Sequence, residues 1–210
     1  MSSEAATDGF DAALRKTGAG LLKSVYWLGA GIYNRVLVNV LGYRAHLLAA
    51  EAFAAHWPGG PGPVLDIGCG TGLTADALLK RVRVAIDGVD FSAAMLDRAR
   101  SRGIYRELIE ADVTRPLPVE PRSYAGAVSS GLFTHGHVGA EALEPLLGAL
   151  APDAIFAFTV YSSIWKRGGF EQTLATLEES GRIAVLSNTT SGHFSRFKGQ
   201  TVHVLAIRVL

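Results

Sequence analysis

The stretch Val64-Leu65-Asp66-Ile67-Gly68-Cys69-Gly70-Thr71-Gly72 decides the fold of this chain. Four residues, three of them apolar, have the length and bulk of a short buried strand. Three alternating glycines follow, and a helical pattern opens directly after them. A glycine turn lets a ligand approach the backbone, because no Cβ stands in the way. The helix behind it offers free N–H groups and the positive end of its dipole. Asp90, at the tip of the next apolar run, can accept both hydroxyls of a ribose. Strand, glycine turn, helix and acid together describe a nucleoside-binding site. A turn without a ligand and a nicotinamide or flavin site are the alternatives. The dinucleotide fingerprint G-x-G-x-x-G places its third glycine where this chain has Leu73. The pattern here is D-x-G-x-G-x-G.

Outward from this stretch, strand and helix patterns alternate. Strand 64–67 leads to a helix at 72–81, and strand 84–89 to a helix at 92–102 with Ser92 as its N-cap. Strands follow at 105–110 and 124–130, then a helix at 139–150, strand 154–160, a helix at 168–179, strand 182–188 and a last strand at 200–209. Such alternation predicts a parallel sheet with helices on both faces. Only a loop, 189–199, joins the last two strands, which suits a hairpin and makes the final strand antiparallel. The expected architecture is a Rossmann-like three-layer αβα sandwich with a seven-stranded, mostly parallel sheet. Upstream, residues 1–17 read as a loose arm and 18–57 as helical pieces. Leu37, Leu41, Leu47, Leu48 and Phe53 form an apolar face there, with Gly42 as a break and His46 and His56 as helix-surface or capping residues. Residues 1–57 are thus an N-terminal arm and helical cap. The turn-rich Pro58-Gly-Gly-Pro-Gly-Pro63 then opens the main domain, 58–210, which forms one compact unit with the cap.

VLDIGCGTG at 64–72, followed by GVDFSAAML at 88–96, resembles motif I and its successor in the class I S-adenosylmethionine-dependent methyltransferases. The resemblance covers residues 30–210. It implies S-adenosylmethionine as cofactor, with S-adenosylhomocysteine as product. It also implies the site. Asp66, Gly68, Cys69, Gly70 and Gly72 cradle the methionine end, Asp90 grips the ribose, Phe91 packs on the adenine face, and Ser92 and Met95 are further cofactor-binding residues. Asp112 accepts from the adenine amino group and Val113 offers its N–H. Ser129 and Ser130 lie near the methionine portion, Ser129 standing where many relatives have an acid. The run 124–160 and Tyr33-Asn34 with Gly42-Tyr43-Arg44 resemble a methyltransferase-like group. In that group Tyr33 would pack over the cofactor, and Tyr43 and Arg44 would sit near the substrate entrance.

Methyl transfer from a sulfonium expels a neutral thioether, so no oxyanion needs stabilising and alignment is the main requirement. A base helps only where the acceptor must lose a proton. His135 and His137, just past the fourth strand, are the candidates for that role. They do not read as a metal site, because no third ligand is apparent. Thr134, Tyr161, Trp165 and His193 are expected around the acceptor, where aromatic side chains would suit an apolar or cationic molecule.

Composition narrows the acceptor class. The 210 residues carry a net charge of +1 and are 49% hydrophobic, which fits one globular α/β domain without a strong field for nucleic acid. The Asn/Asp-Pro-Pro-aromatic signature of base-amino methylation is absent from 127–134, which reads AVSSGLFT. One cysteine suits a reducing cytoplasm, and the apolar stretch 25–33 is too short to span a bilayer. The expectation is a cytoplasmic transferase acting on a small-molecule acceptor, as monomer or homodimer, with neither nucleic acid nor membrane as partner. A protein methyltransferase and a non-catalytic cofactor-binding sensor or partner subunit are the competing readings.

Overall fold

The computed structural model describes residues 42–134, 138–195 and 200–210. In chain order these form α1 (Ala45–His56), β1 (Val64–Ile67), α2 (Leu73–Leu79), β2 (Ile86–Asp90), α3 (Ala93–Arg100), β3 (Leu108–Glu110) and β4 (Tyr124–Phe133). A 3-10 turn (Ala140–Ala142), α4 (Leu143–Leu147), β5 (Leu150–Tyr161), α5 (Ser162–Trp165), α6 (Phe170–Glu179), β6 (Ile183–Gly192) and β7 (Thr201–Val209) complete it. The strands build one seven-stranded sheet in the order β3-β2-β1-β4-β5-β7-β6. β1 pairs in parallel with β2 and β4, β3 extends that parallel set from β2, and β5 from β4. β7 runs antiparallel to β5, with Phe158 opposite Leu205. The expected mostly parallel, seven-stranded, three-layer arrangement is therefore present. Of the cap, residues 1–41 lie outside the described residues.

The sheet is buried on both faces, so its central strands read as near-continuous apolar runs. One face carries Leu65, Ile67, Phe133, Phe156 and Phe158 into a cluster closed by α4 and α6 through Leu143, Leu146, Phe170 and Leu174. The other carries Val64, Ile86, Val128, Ile155 and Ala157 against Phe53 of α1 and Ala75 and Leu78 of α2. Gly126 in β4 admits α1 to this face, since a Cβ there would lie 2.7 Å from the Phe53 ring.

Several boundaries differ from the sequence reading. The helix expected at 139–150 is only the 3-10 turn and the five residues of α4, because Leu150 already pairs with Tyr124 in the sheet. β3 begins at Leu108, since Tyr105 and Arg106 turn inward to bond buried carboxylates on β1 and β2. α1 buries Ala45, Ala49, Ala50 and Phe53, whereas Leu47 is exposed. His46, expected on the surface, is buried, and that desolvation lowers its pKa to about 4.

The chain separates into two compact units. The larger comprises 45–191 and 201–210, so α1 groups with the sheet. Within the smaller, the described residues form a short antiparallel contact. Tyr43 bridges to Phe194, the Arg44 N–H donates to His193 O, and the Ser195 N–H donates to Gly42 O. His193 sits edge-on to both Tyr43 and Phe194.

Candidate functional site

The glycine turn stands at the carboxyl end of β1, where ligands bind in open α/β sheets. Gly68, Gly70 and Gly72 all have positive φ (66°, 52° and 85°), a region that side chains other than glycine adopt at a cost. Their roles differ. A Cβ on Gly68 would crowd Leu132 at 3.1 Å, but one on Gly70 would meet nothing within 4 Å. Gly70 therefore faces open space, as a residue beneath a ligand must. Cys69 turns inward and is buried; burial and the nearby Asp66 and Asp90 push its thiol far above the ordinary range.

Asp90 holds the turn from the side. Its Oδ2 accepts from the Gly70 N–H and its Oδ1 from the Ser92 N–H, both at 2.9 Å. Ser92 thus caps α3 through its backbone, without a side-chain capping bond. An ionised carboxylate has about four acceptor positions, so these amides leave it capacity for an incoming hydroxyl. Burial raises the Asp90 pKa, and the amides of Ser92, Gly70 and Phe91 partly offset it. Beside it, Phe91 is 74% exposed and presents an apolar ring at the surface. Met95 is buried in the first turn of α3.

Asp66 lies one layer below and is inaccessible to solvent. Its Oδ2 accepts from the Tyr105 hydroxyl at 2.7 Å, and its Oδ1 has no hydrogen-bond partner. Burial pushes this carboxyl up to about 7, with the Tyr105 hydroxyl and Ala75 amide opposing and Asp90 adding to the rise. Asp66 can reach a ligand only through the turn it supports.

The remaining expected residues divide. Ser129 is fully buried and donates to Ile67 O at 2.8 Å, so its hydroxyl ties β4 to β1. Ser130 faces the start of α2, its Oγ 2.8 Å from Thr74 Oγ1. Asp112 is exposed and accepts from both the N–H and hydroxyl of Thr114, with Arg115 3.7 Å from its other oxygen. Those Thr114 bonds hold its carboxyl below the usual range. Val113 is buried in the core beside it. Thr134 follows β4, and Tyr161 ends β5. Trp165 stacks on His203 at 4.0 Å, and His203 Nδ1 lies 3.0 Å from Asn188 Oδ1. Tyr43, Arg44 and His193 meet in the smaller unit, where burial lowers the His193 pKa to about 3. Tyr33, His135 and His137 lie outside the described residues. Among the described residues no cluster of three or more His, Cys, Asp or Glu could hold a metal ion.

Sequence reasoning missed Tyr105, Arg102 and His203. Arg102 donates through Nε to Thr71 O in the turn. Spacing gives no sign of this, because the partners are about thirty residues away. The one available signal is that a carboxylate in a buried strand requires a donor from somewhere.

Fold and turn together define the class I methyltransferase type of α/β protein. A methyltransferase-domain family model matches residues 64–153. Methyltransferase-like protein 27 of Homo sapiens is 31% identical over 150 residues, 69% of this chain and 61% of the relative. Trans-aconitate 2-methyltransferase of Rhodopseudomonas palustris is 36% identical over 113 residues, 52% of this chain and 42% of the relative. The chain thus spans less than two thirds of the length of these relatives. Among solved structures, that of the plantazolicin methyltransferase BpumL in complex with SAH superposes with a TM-score of 0.61 at 18% identity. The match covers 79% of this chain and 84% of that one.

Proposed function

We propose that this chain binds S-adenosylmethionine and transfers its methyl group to a small-molecule acceptor in the cytoplasm. The observation that carries the reading is the pairing of Asp90 with Gly70. One carboxylate fixes the turn through the Gly70 N–H and keeps acceptor positions for a ribose, while a Cβ at Gly70 would stand in open space. The residues present fit the cofactor. Phe91 supplies an uncovered plane for the adenine, and Asp66 sets a buried acid beneath the turn where a cationic methionine end would lie.

When bound, S-adenosylmethionine supplies a methyl group on a cationic sulfonium with a neutral leaving group. The protein's contribution is then to orient. Asp90 and the turn hold the ribose end, and Phe91 holds the base. Ser129 is not available as a base, because its hydroxyl is committed to Ile67 O. Positioning catalysis follows, with His135 or His137 relevant only to an acceptor that must lose a proton. A small acceptor is favoured over nucleic acid by the net charge of +1 and the sequence AVSSGLFT at 127–134. The relatives do not decide the acceptor, since by their names the trans-aconitate enzyme acts on a small molecule, the 18S rRNA (guanine-N(7))-methyltransferase of Mus musculus on RNA, and methyltransferase-like protein 27 names no acceptor.

Calorimetric titration with S-adenosylmethionine, S-adenosylhomocysteine and NAD tests the cofactor. Micromolar binding of the two sulfur nucleosides without NAD supports the proposal, and NAD binding alone overturns it. Cofactor binding without methyl consumption across a broad acceptor panel would favour the non-catalytic reading.

A further inference from the structure

The glycine turn is braced from beneath by two side chains that belong to no motif. Both lie between α3 and β3. Arg102 donates through Nε to Thr71 O, and the Tyr105 hydroxyl donates to Asp66 Oδ2 at 2.7 Å. Two glycines exist to admit them. A Cβ on Gly72 would lie 2.8 Å from Arg102 Cδ and 3.1 Å from the Tyr105 hydroxyl. A Cβ on Gly88 in β2 would lie 2.9 Å from both Cys69 Sγ and Tyr105 Cε1. Of the turn's glycines, Gly70 thus faces open space and Gly72 faces the brace.

We propose that Arg102 and Tyr105 are positioning residues for the cofactor turn, Arg102 acting on the Thr71 carbonyl and Tyr105 acting through the Asp66 carboxylate. This rests on the cofactor reading above and deepens it. Three glycines in five residues give the unbraced turn more conformational freedom than any other five-residue segment of the site, and ordering it on binding would cost affinity. Asp90 fixes one side of the turn at Gly70, and Arg102 fixes the other at Thr71. Tyr105 has a second task. The groups facing Asp66 are the Tyr105 hydroxyl from the segment before β3, the Ala75 amide from α2, Cys69 from the turn and Asp90 from β2. Only the first two favour the ionised acid, and Tyr105 is the only side chain among them that does so. Loss of its hydroxyl leaves both carboxylate oxygens without a side-chain donor. The acid then stays protonated to higher pH, and its negative charge is withdrawn from beneath the ligand.

The test is S-adenosylhomocysteine affinity by calorimetry from pH 6 to 9. The proteins compared are wild type, Tyr105→Phe, Asp66→Asn and the double variant, with melting temperatures as a folding control. Tyr105→Phe should bind about tenfold more weakly at neutral pH, the scale of one hydrogen bond to a charged group. Wild-type affinity should fall as pH drops through about 7, and the fall should move to higher pH in Tyr105→Phe. In the Asp66→Asn background, Tyr105→Phe should change affinity by no more than about twofold, because the two residues act as one unit. Unchanged affinity and pH profile in Tyr105→Phe would overturn the proposal, as would full additivity with Asp66→Asn. Should Tyr105→Phe not fold, Arg102→Met decides, with about a tenfold loss expected and an unchanged affinity overturning the brace. Wild-type protein that fails to bind overturns the cofactor reading itself, whereas equal affinity in wild type and variants overturns only the brace.

Discussion

Asp66 and Asp87 stand on adjacent parallel strands, both closed to solvent, and the protein treats them in opposite ways. Asp87, in the middle of the amino-side half of β2, is saturated. It accepts from Arg106 through Nε and Nη2 at 3.0 and 2.6 Å, from the Glu107 N–H at 3.1 Å and from the Tyr124 hydroxyl at 2.9 Å. Asp66, below the glycine turn, has one side-chain donor and one oxygen without a partner. A fully bonded buried acid stabilises the fold, here by tying β2 to Tyr124 of β4 across the intervening β1. An under-bonded one costs stability, and such costs concentrate where a ligand completes the site. Toward the amino side the buried acid is fully bonded within the fold, and toward the carboxyl side it is not.

The sharpest way to break this contrast is Asp87→Ala. It strands a buried Tyr124 hydroxyl and unpairs a half-exposed Arg106, and should cost about 3 kcal/mol of unfolding free energy in urea titration. Its effect on cofactor affinity should be small by comparison. A loss under about 1 kcal/mol would show that the network is not structural. On the other side, Asp90→Ala should weaken S-adenosylmethionine binding by roughly 1–3 kcal/mol in calorimetry. Unchanged affinity there would remove the ribose from Asp90.

Asp66 supplies a pH-dependent version of the same contrast. Burial raises its carboxyl from the ordinary 3.8 to about 7 in the folded chain. Between those values the folded chain holds a proton that the unfolded chain has released, so its contribution to stability falls as pH rises toward about 7 and is level above it. Asp66→Asn should therefore raise stability at pH 8 by about 1–2 kcal/mol while weakening cofactor binding, an exchange of function for stability. Destabilisation at pH 8 would mean that the acid is not under-bonded in solution. The smallest expected change is Phe91→Ala. It should leave the melting temperature nearly unmoved, within about 0.5 kcal/mol, because the ring buries little against the protein. It should still lower affinity for S-adenosylhomocysteine, and equal binding would take the adenine away from this ring.

What was legible in the residues was what local pattern controls. Val64–Ile67 and the glycines marked strand and turn, and the short connection before Thr201 marked the reversed last strand. What was not legible depended on partners distant in sequence. Leu150 joins the sheet because Tyr124 is there to pair with it, which shortened a helix that periodicity extended. Ser129 has the sequence position of a catalytic group, yet its side chain points along the sheet to Ile67 O. Tyr105 carries the bulk of a strand residue and is read as one until Asp66 is seen beneath it. Asp112 fits its expected place after β3, but its geometry is that of an acid closing its own turn on Thr114.

The inward-facing thiol of Cys69 has a practical consequence for spectroscopy. Thiol-reactive dyes attack the thiolate, and this sulfur is both covered and held in its protonated form. It is also the only cysteine in the chain. A single cysteine introduced at a chosen exposed position will therefore take up a fluorophore or spin label at that position alone, in an otherwise native background. Placed on the solvent face of α3, such a probe tests in real time whether a nucleoside arrives at the turn, with the glycine cradle left as nature built it.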